Sequence, residues 1–255
     1  MHNLLSLKIE NRDNLKEYPF KSKLYQTGFK IDFDDITIIV GENGAGKSTL
    51  LESLAYKVGF STYGGNAGNG NFFNEINRVI EHNSKKSLTT LAEELELRPE
   101  KTIQLDSSIL SEYMSLVWKI KSSKGMFIRA ETFATLINLP RYSANHLSHG
   151  EGLIEIISNI ADDGLYILDE PESGLSPNKI ICLMSLILEK QKSYNTQFVI
   201  STHSPILMCI PNSKVLEISA ESIQEIQPED TSHYQLTKYI LNNKEGFLKN
   251  LLQEE

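Results

Sequence analysis

Apolar and polar positions alternate through LLSLKIE (4–10) and FKIDF (29–33), the period of half-buried strands. ITIIV (36–40) breaks that alternation with a continuous β-branched run, which predicts a strand buried on both faces. Beyond GENGAGKST, the period changes to that of a helix, with Leu50, Leu51, Leu54, Ala55 and Val58 on one face. Residues 59–71 hold five glycines and read as a loop, and 74–122 reads as mostly helical, with LTTLAEELEL and ILSEYMSLVWKIK as segments. GMFIRAETFATL (125–136) begins as a short strand, and EGLIEIISNIA (151–161) places Leu153, Ile156, Ile157 and Ile160 on one helical face. GLYILDEP (164–171) and TQFVISTHSP (196–205) are buried strands separated by an apolar helix, NKIICLMSLILEKQKS (178–193). KVLEIS (214–219) and SIQEIQ (222–227) form a closing hairpin, followed by a helical tail. Buried strands alternating with helices predict an α/β fold on a mostly parallel sheet.

The 255 residues suit one large α/β domain, and 40% hydrophobic with 23% charged residues is ordinary globular composition. The net charge of −8 argues against a surface coated by nucleic acid, because phosphate binding needs a basic face. Cys182 and Cys209 lack metal-ligand or CxxC spacing and are expected to be buried, reduced thiols of a cytoplasmic protein. No apolar run approaches the length of a membrane span, and the first residues do not read as a signal peptide.

Chemistry enters at three strand ends. Gly41, Gly46, Lys47 and Ser48 satisfy the phosphate-loop pattern G-x-x-x-x-G-K-[ST], between a strand and a helix as that pattern demands. The glycines let successive N–H groups of 41–49 (Gly41, Glu42, Asn43, Gly44, Ala45, Gly46, Lys47, Ser48 and Thr49) turn toward phosphate oxygens, and the helix start adds its positive dipole end. Lys47 is expected at the β- and γ-phosphates, with the Ser48 hydroxyl on Mg²⁺. Asp169 and Glu170 end a buried strand, the edge where open α/β sheets bind ligands; Asp169 would hold Mg²⁺ and Glu170 would deprotonate the attacking water. His203 ends the next strand, where its imidazole could reach the γ-phosphate and that water.

The order of the phosphate loop, LSHGE (147–151), LYILDEP, SGLS (173–176) and STHSP resembles the ABC-ATPase superfamily over nearly the whole chain, and most resembles small stand-alone bacterial AAA-family ATPases of ABC type. FIRAETF, DEPESGLSP and HYQLTKYILNN resemble that group as well. The resemblance implies a P-loop NTPase of ABC ATPase-head type: a mostly parallel sheet, N-terminal antiparallel strands, a helical lobe, and one domain over 1–255 with a helical and Gly-rich insertion at about 59–124. It implies an ATP- and Mg²⁺-dependent ATPase that forms an ATP-dependent homodimer. In that dimer Ser148, His149, Gly150 and Glu151 would be the signature acting on the partner's nucleotide. Ser173, Gly174, Leu175 and Ser176 would be the D-loop, and His203 the switch histidine. LSHGE departs from LSGGQ at His149 and Glu151 but keeps the serine and glycine that grip the phosphate, ahead of a helix. No glutamine stands where the Q-loop belongs, leaving Glu131 as its substitute; Ser176 stands where many transporter ATPases carry Asp; and Tyr18, Phe20 and Tyr25 remain alternatives for the adenine stacker. The expected output is work on a nucleic acid or protein partner, as in DNA repair or phage defence. The alternatives are the nucleotide-binding subunit of a transporter, whose membrane-spanning partner is a separate chain, and a non-hydrolysing sensor or toxin-like effector.

Overall fold

The computed structural model describes residues 4–11, 20, 22–60, 65–66, 109–122, 124–129 and 149–252, with the backbone alone at 65, 66, 149 and 150. In chain order these carry β1 (Leu4–Ile9), α1 (Lys23–Thr27), β2 (Phe29–Asp32), β3 (Ile36–Val40), α2 (Lys47–Val58), β4 (Gly65–Asn66), β5 (Met114–Trp118), β6 (Gly125–Arg129), α3 (His149–Ser158) and β7 (Leu165–Asp169). There follow α4 (Pro177–Tyr194), β8 (Gln197–Ser201), α5 (Pro205–Met208), β9 (Lys214–Ile218), β10 (Ile223–Glu225), α6 (Ser232–Asn242) and α7 (Lys244–Leu252).

Seven strands form the main sheet in the order β10-β9-β3-β8-β7-β6-β4, and three form a second sheet, β2-β1-β5. From β9 to β6 every pairing is parallel, and β10 and β4 close the edges antiparallel. The predicted parallel sheet and N-terminal antiparallel strands are both present. The strand period sorts the core into two layers. Ile39, Ile167 and Val199 face α2 and the small sheet, packing with Leu7, Leu51, Leu54 and Phe127. Ile38, Leu168 and Ile200 face the other way, onto Ile157 of α3 and Leu183 and Ile187 of α4. This explains the unbroken apolar runs: strands covered on both faces have no solvent side to make polar. Gln197, 1% exposed, is the buried exception. Its side chain accepts from Leu4 N (2.8 Å) and donates to the oxygens of Leu4 (2.9 Å) and Asp34 (3.1 Å), fastening β1 of the small sheet to β8 of the large one.

Two expectations are corrected. The helix predicted through ILSEYMSLVWKIK holds only at 109–112, and the chain becomes a strand from Met114 to Trp118. Its helical spacing of Leu, Met and Trp is overridden by antiparallel pairing with β1, which leaves Val117 outward and 53% exposed. Cys182 and Cys209 are exposed rather than buried: Cys182 lies on the solvent side of α4, beside exposed Ile181, and Cys209 follows the last turn of α5. The rest of the helical lobe lies outside the described residues. The predicted tail is two helices, parted at Asn243. Among the described residues no helix is long and apolar enough to cross a membrane.

Candidate nucleotide site

The loop between β3 and α2 has the conformation its glycines allow. Gly41 has φ +146, and a Cβ there would stand 2.2 Å from the carbonyl oxygen of Ile218, because β9 runs beside β3. Gly46 has φ +97, and its carbonyl accepts the Tyr25 hydroxyl at 2.9 Å. Helix α2 begins at Lys47, so Ser48 and Thr49 occupy its first turn. Lys47 is 5% exposed and curls over the loop, donating to the oxygens of Gly41 (2.8 Å) and Glu42 (3.1 Å). Burial pushes its ammonium below the usual value, against the pull of Glu170, Asp169, Glu42 and Glu172. A cation held this way gains a partner when a polyphosphate arrives.

The register β3-β8-β7 brings the other candidates to the same edge. Asp169 ends β7 and is 2% exposed; its Oδ1 accepts from Ser48 Oγ at 3.3 Å and from Ser201 Oγ of β8. Its second oxygen lies 3.7 Å from Arg129 Nε, and Arg129 pairs with Glu52 of α2 at 2.5 Å. Two buried carboxylates are thus held around one guanidinium, which offsets the cost of their burial. Glu170 has φ +51, a left-handed turn that takes its side chain out of the sheet to reach the site, and its carboxylate lies 3.5 Å from His203 Nε2. That nitrogen is buried and has no hydrogen-bond partner among the described residues. Burial and the Lys47 charge hold His203 below the ordinary histidine value, opposed by Glu170 and Glu42.

Ser48 and Asp169 offer a hydroxyl and a carboxylate, the hard oxygen donors that suit Mg²⁺, an ion that completes its shell with water and substrate phosphates. Among the described residues no group of three or more His, Cys, Asp or Glu side chains could hold a metal.

Sequence reasoning missed three partners. Glu172 Oε1 accepts from Thr202 Oγ1 (2.7 Å), His203 N (2.7 Å) and Ser204 N (3.1 Å). His233 touches His203, and Arg129 supports Asp169. Each lies far along the chain from what it holds, so no local spacing signals it, although Glu172 falls within the quoted DEPES.

The segment after β7 turns twice: Ser173 N donates to Glu170 O, and Leu175 N to Glu172 O. Gly174 has φ +78, and Ser176 caps α4 by accepting from Lys179 N at 3.4 Å. Helix α3 starts at His149, so His149, Gly150 and Glu151 lie in its first turn. Glu151 is exposed and pairs with Lys179 at 3.6 Å. Ser148 and Glu131 lie outside the described residues, as does Tyr18. Phe20 and Tyr25 are core residues, at 1% and 2% exposure, so neither offers a face to an adenine.

The family model described as "ABC transporter" matches residues 24–173, more than half of the chain. A second, an AAA domain whose description names the AbiEii toxin and type IV TA systems, matches 141–208. Similar curated proteins include the L-arabinose transport ATP-binding protein AraG of Geobacillus stearothermophilus, 26% identical over 90% of this chain and 45% of that one. The lipoprotein-releasing system ATP-binding protein LolD of Buchnera aphidicola subsp. Acyrthosiphon pisum is 28% identical over 82% of this chain and 92% of that one. The chain spans less than half the length of the first curated relatives it matches. Among solved structures, the SMC head domain from Thermotoga maritima covers 88% of this chain and 99% of that one, at 12% identity and a TM-score of 0.45. A glycine loop, an acidic strand end and a histidine on one parallel sheet edge, within a family match of this extent, make the chain a member of the ABC-type ATPase superfamily.

Proposed function

We propose that the chain binds ATP with Mg²⁺ and hydrolyses it in a head-to-tail dimer closed around two nucleotides. The observation that carries this reading is the convergence of Lys47, Ser48, Asp169, Glu170 and His203 at one edge, linked by the 3.3 Å Ser48–Asp169 and 3.5 Å Glu170–His203 approaches. In this reading the 41–49 backbone cradles the phosphates and Lys47 neutralises them. Glu170 takes the proton of the attacking water, and His203 Nε2 donates to the terminal phosphate. Ser48 and Asp169 would hold Mg²⁺, which would neutralise charge on the phosphate oxygens. Ser148 and Gly150 grip the nucleotide of the other subunit, with 173–176 at the seam and Glu131 in the place of the Q-loop glutamine.

The output of the cycle is work on a protein or nucleic-acid partner, of a DNA-repair or phage-defence kind. Glu151 in place of the usual Gln and the AAA-domain match over 141–208 support it. A second reading, the ATP-binding subunit of a transporter, is favoured by the names of the relatives, several of them transport or import ATP-binding proteins.

Mixing two dead variants tests the sandwich. Lys47→Ala breaks one phosphate loop and Ser148→Arg one signature, so each homodimer has two broken sites. A mixed dimer regains one intact site. Random assortment makes half of the dimers mixed, so roughly a quarter of wild-type ATPase activity returns if the sites act independently, and less if they fire together. Full activity of the Ser148→Arg homodimer overturns the trans signature. Partners that co-purify from the native cell then separate the two outputs: an integral membrane protein supports transport.

A further inference from the structure

Helix α6 begins against the nucleotide site. Thr231, 1% exposed, caps it by accepting from Tyr234 N at 3.4 Å, and its hydroxyl donates to Pro228 O at 2.8 Å. The cap fixes the next two residues. Ser232 Oγ donates to Glu42 Oε1 of the phosphate loop at 3.2 Å, and His233 Nε2 lies 2.9 Å from Nδ1 of His203. The two rings stand 4.7 Å apart at 55°.

We propose that His233 is a positioning residue for His203: it donates its Nε2–H to His203 Nδ1 and so places the His203 proton on Nε2, facing Glu170 and the nucleotide. This rests on the role of His203 given above.

The argument is one of donors and acceptors. At 2.9 Å one of the two ring nitrogens carries a proton and the other does not. For two neutral rings there are two arrangements. If His203 Nδ1 donates, its Nε2 is a bare lone pair turned toward the Glu170 carboxylate 3.5 Å away, an acceptor against an acceptor. If His233 Nε2 donates, His203 Nε2 carries the proton toward that carboxylate and toward a phosphate, both of them acceptors. The second arrangement turns a donor rather than a lone pair toward those acceptors, and in it the hydrogen bond at one ring nitrogen selects the tautomer at the other. A doubly protonated His203 is opposed by burial, by Lys47 and by His233, against Glu170 and Glu42 on the opposite side. These groups come from α2, α6, the turn after β7 and the phosphate loop. The consequence is that a helix near the C-terminal end of the sequence governs the donor state of a residue at the sheet edge.

Two measurements test the inference, and they fail separately. In the nucleotide-free ¹⁵N-labelled protein, ring-nitrogen shifts of His203, assigned by loss of its signals in His203→Gln, should show a protonated Nε2 and a bare Nδ1. His233→Ala should turn that single tautomer into a mixture. A protonated Nδ1 in the wild type overturns the proposal whatever the chain hydrolyses. In steady-state ATPase assays, His233→Ala should lower kcat about tenfold or more, the scale seen when the hydrogen-bond partner of a metal-ligating histidine is removed, with KM for ATP–Mg²⁺ nearly unchanged. His233→Gln keeps an N–H donor and should recover most of the loss; His233→Phe keeps the bulk and should not. His203→Ala and His203→Ala/His233→Ala should be equally slow, because the second residue acts through the first. Wild-type kcat in both His233→Ala and His233→Phe overturns the proposal. Undiminished turnover in His203→Ala would instead sink the catalytic role of His203, leaving the ring-nitrogen result to decide the tautomer.

Discussion

Glu172 accepts the backbone N–H of His203 at 2.7 Å, so the turn after β7 and the turn after β8 are one hydrogen-bonded unit. The same oxygen takes Thr202 Oγ1 and Ser204 N, the latter at the start of α5. Glu172→Ala strands the His203 N–H and the Thr202 hydroxyl, while Ser204 N keeps Thr202 Oγ1 at 2.9 Å, and should cost about 1–3 kcal/mol, the range for buried donors that lose their acceptor. Urea unfolding checks it. ATP turnover should fall with it, because His203 loses its anchor, while Glu172→Gln, which keeps an acceptor oxygen, should lie between.

Lys47→Met should abolish the stabilisation that ATP–Mg²⁺ gives the wild type. A ligand at about 100 times its Kd adds about 2.7 kcal/mol by mass action, which a thermal melt reads directly. The nucleotide-free variant should stay folded, since the lysine is disfavoured by burial and its loss frees only two loop carbonyls.

Glu170→Gln keeps the shape of the side chain and removes its basicity. Nucleotide binding should persist while kcat falls by about 10²–10⁴. Size exclusion should then show a dimer with ATP–Mg²⁺ and a monomer without it. A monomer in both conditions, with binding confirmed, would count against the sandwich.

Stability should fall on acidification partly through His203. Its value in the native chain is below the ordinary histidine value, so as pH drops through about 6.5 the unfolded chain takes up the proton first. The native state then loses stability from about 6.5 down to the native value, and no further loss from this residue follows below it. His203→Gln should flatten that part of the stability curve, measured by urea unfolding between pH 5 and 8.

What the sequence made legible was local. A continuous run such as ITIIV, a loop pattern such as GENGAGKS and a strand ending in Asp-Glu each carry their meaning within ten residues, and all fall where they were expected. The approaches that complete the site are long-range: Ser48 to Asp169 spans 121 positions, Arg129 to Glu52 spans 77, and His203 to His233 spans 30. Periodicity cannot encode such pairs. It also misassigned Met114–Trp118, whose partner strand β1 lies more than a hundred residues earlier. The exposure of Cys182 depends on which side of α4 meets the sheet, which its strongly apolar sequence does not disclose.

The left-handed backbone of Glu170 sets two selections against each other. A side chain with a Cβ at φ +51 carries strain on the order of 1 kcal/mol that glycine does not, and asparagine tolerates it better than glutamate. A library randomised at this position and sorted for thermal resistance should drift toward Gly and Asn. Sorted for nucleotide turnover, it should return to Glu. The position would then record, in the residues each screen enriches, how much fold stability this chain surrenders to keep a carboxylate at its sheet edge.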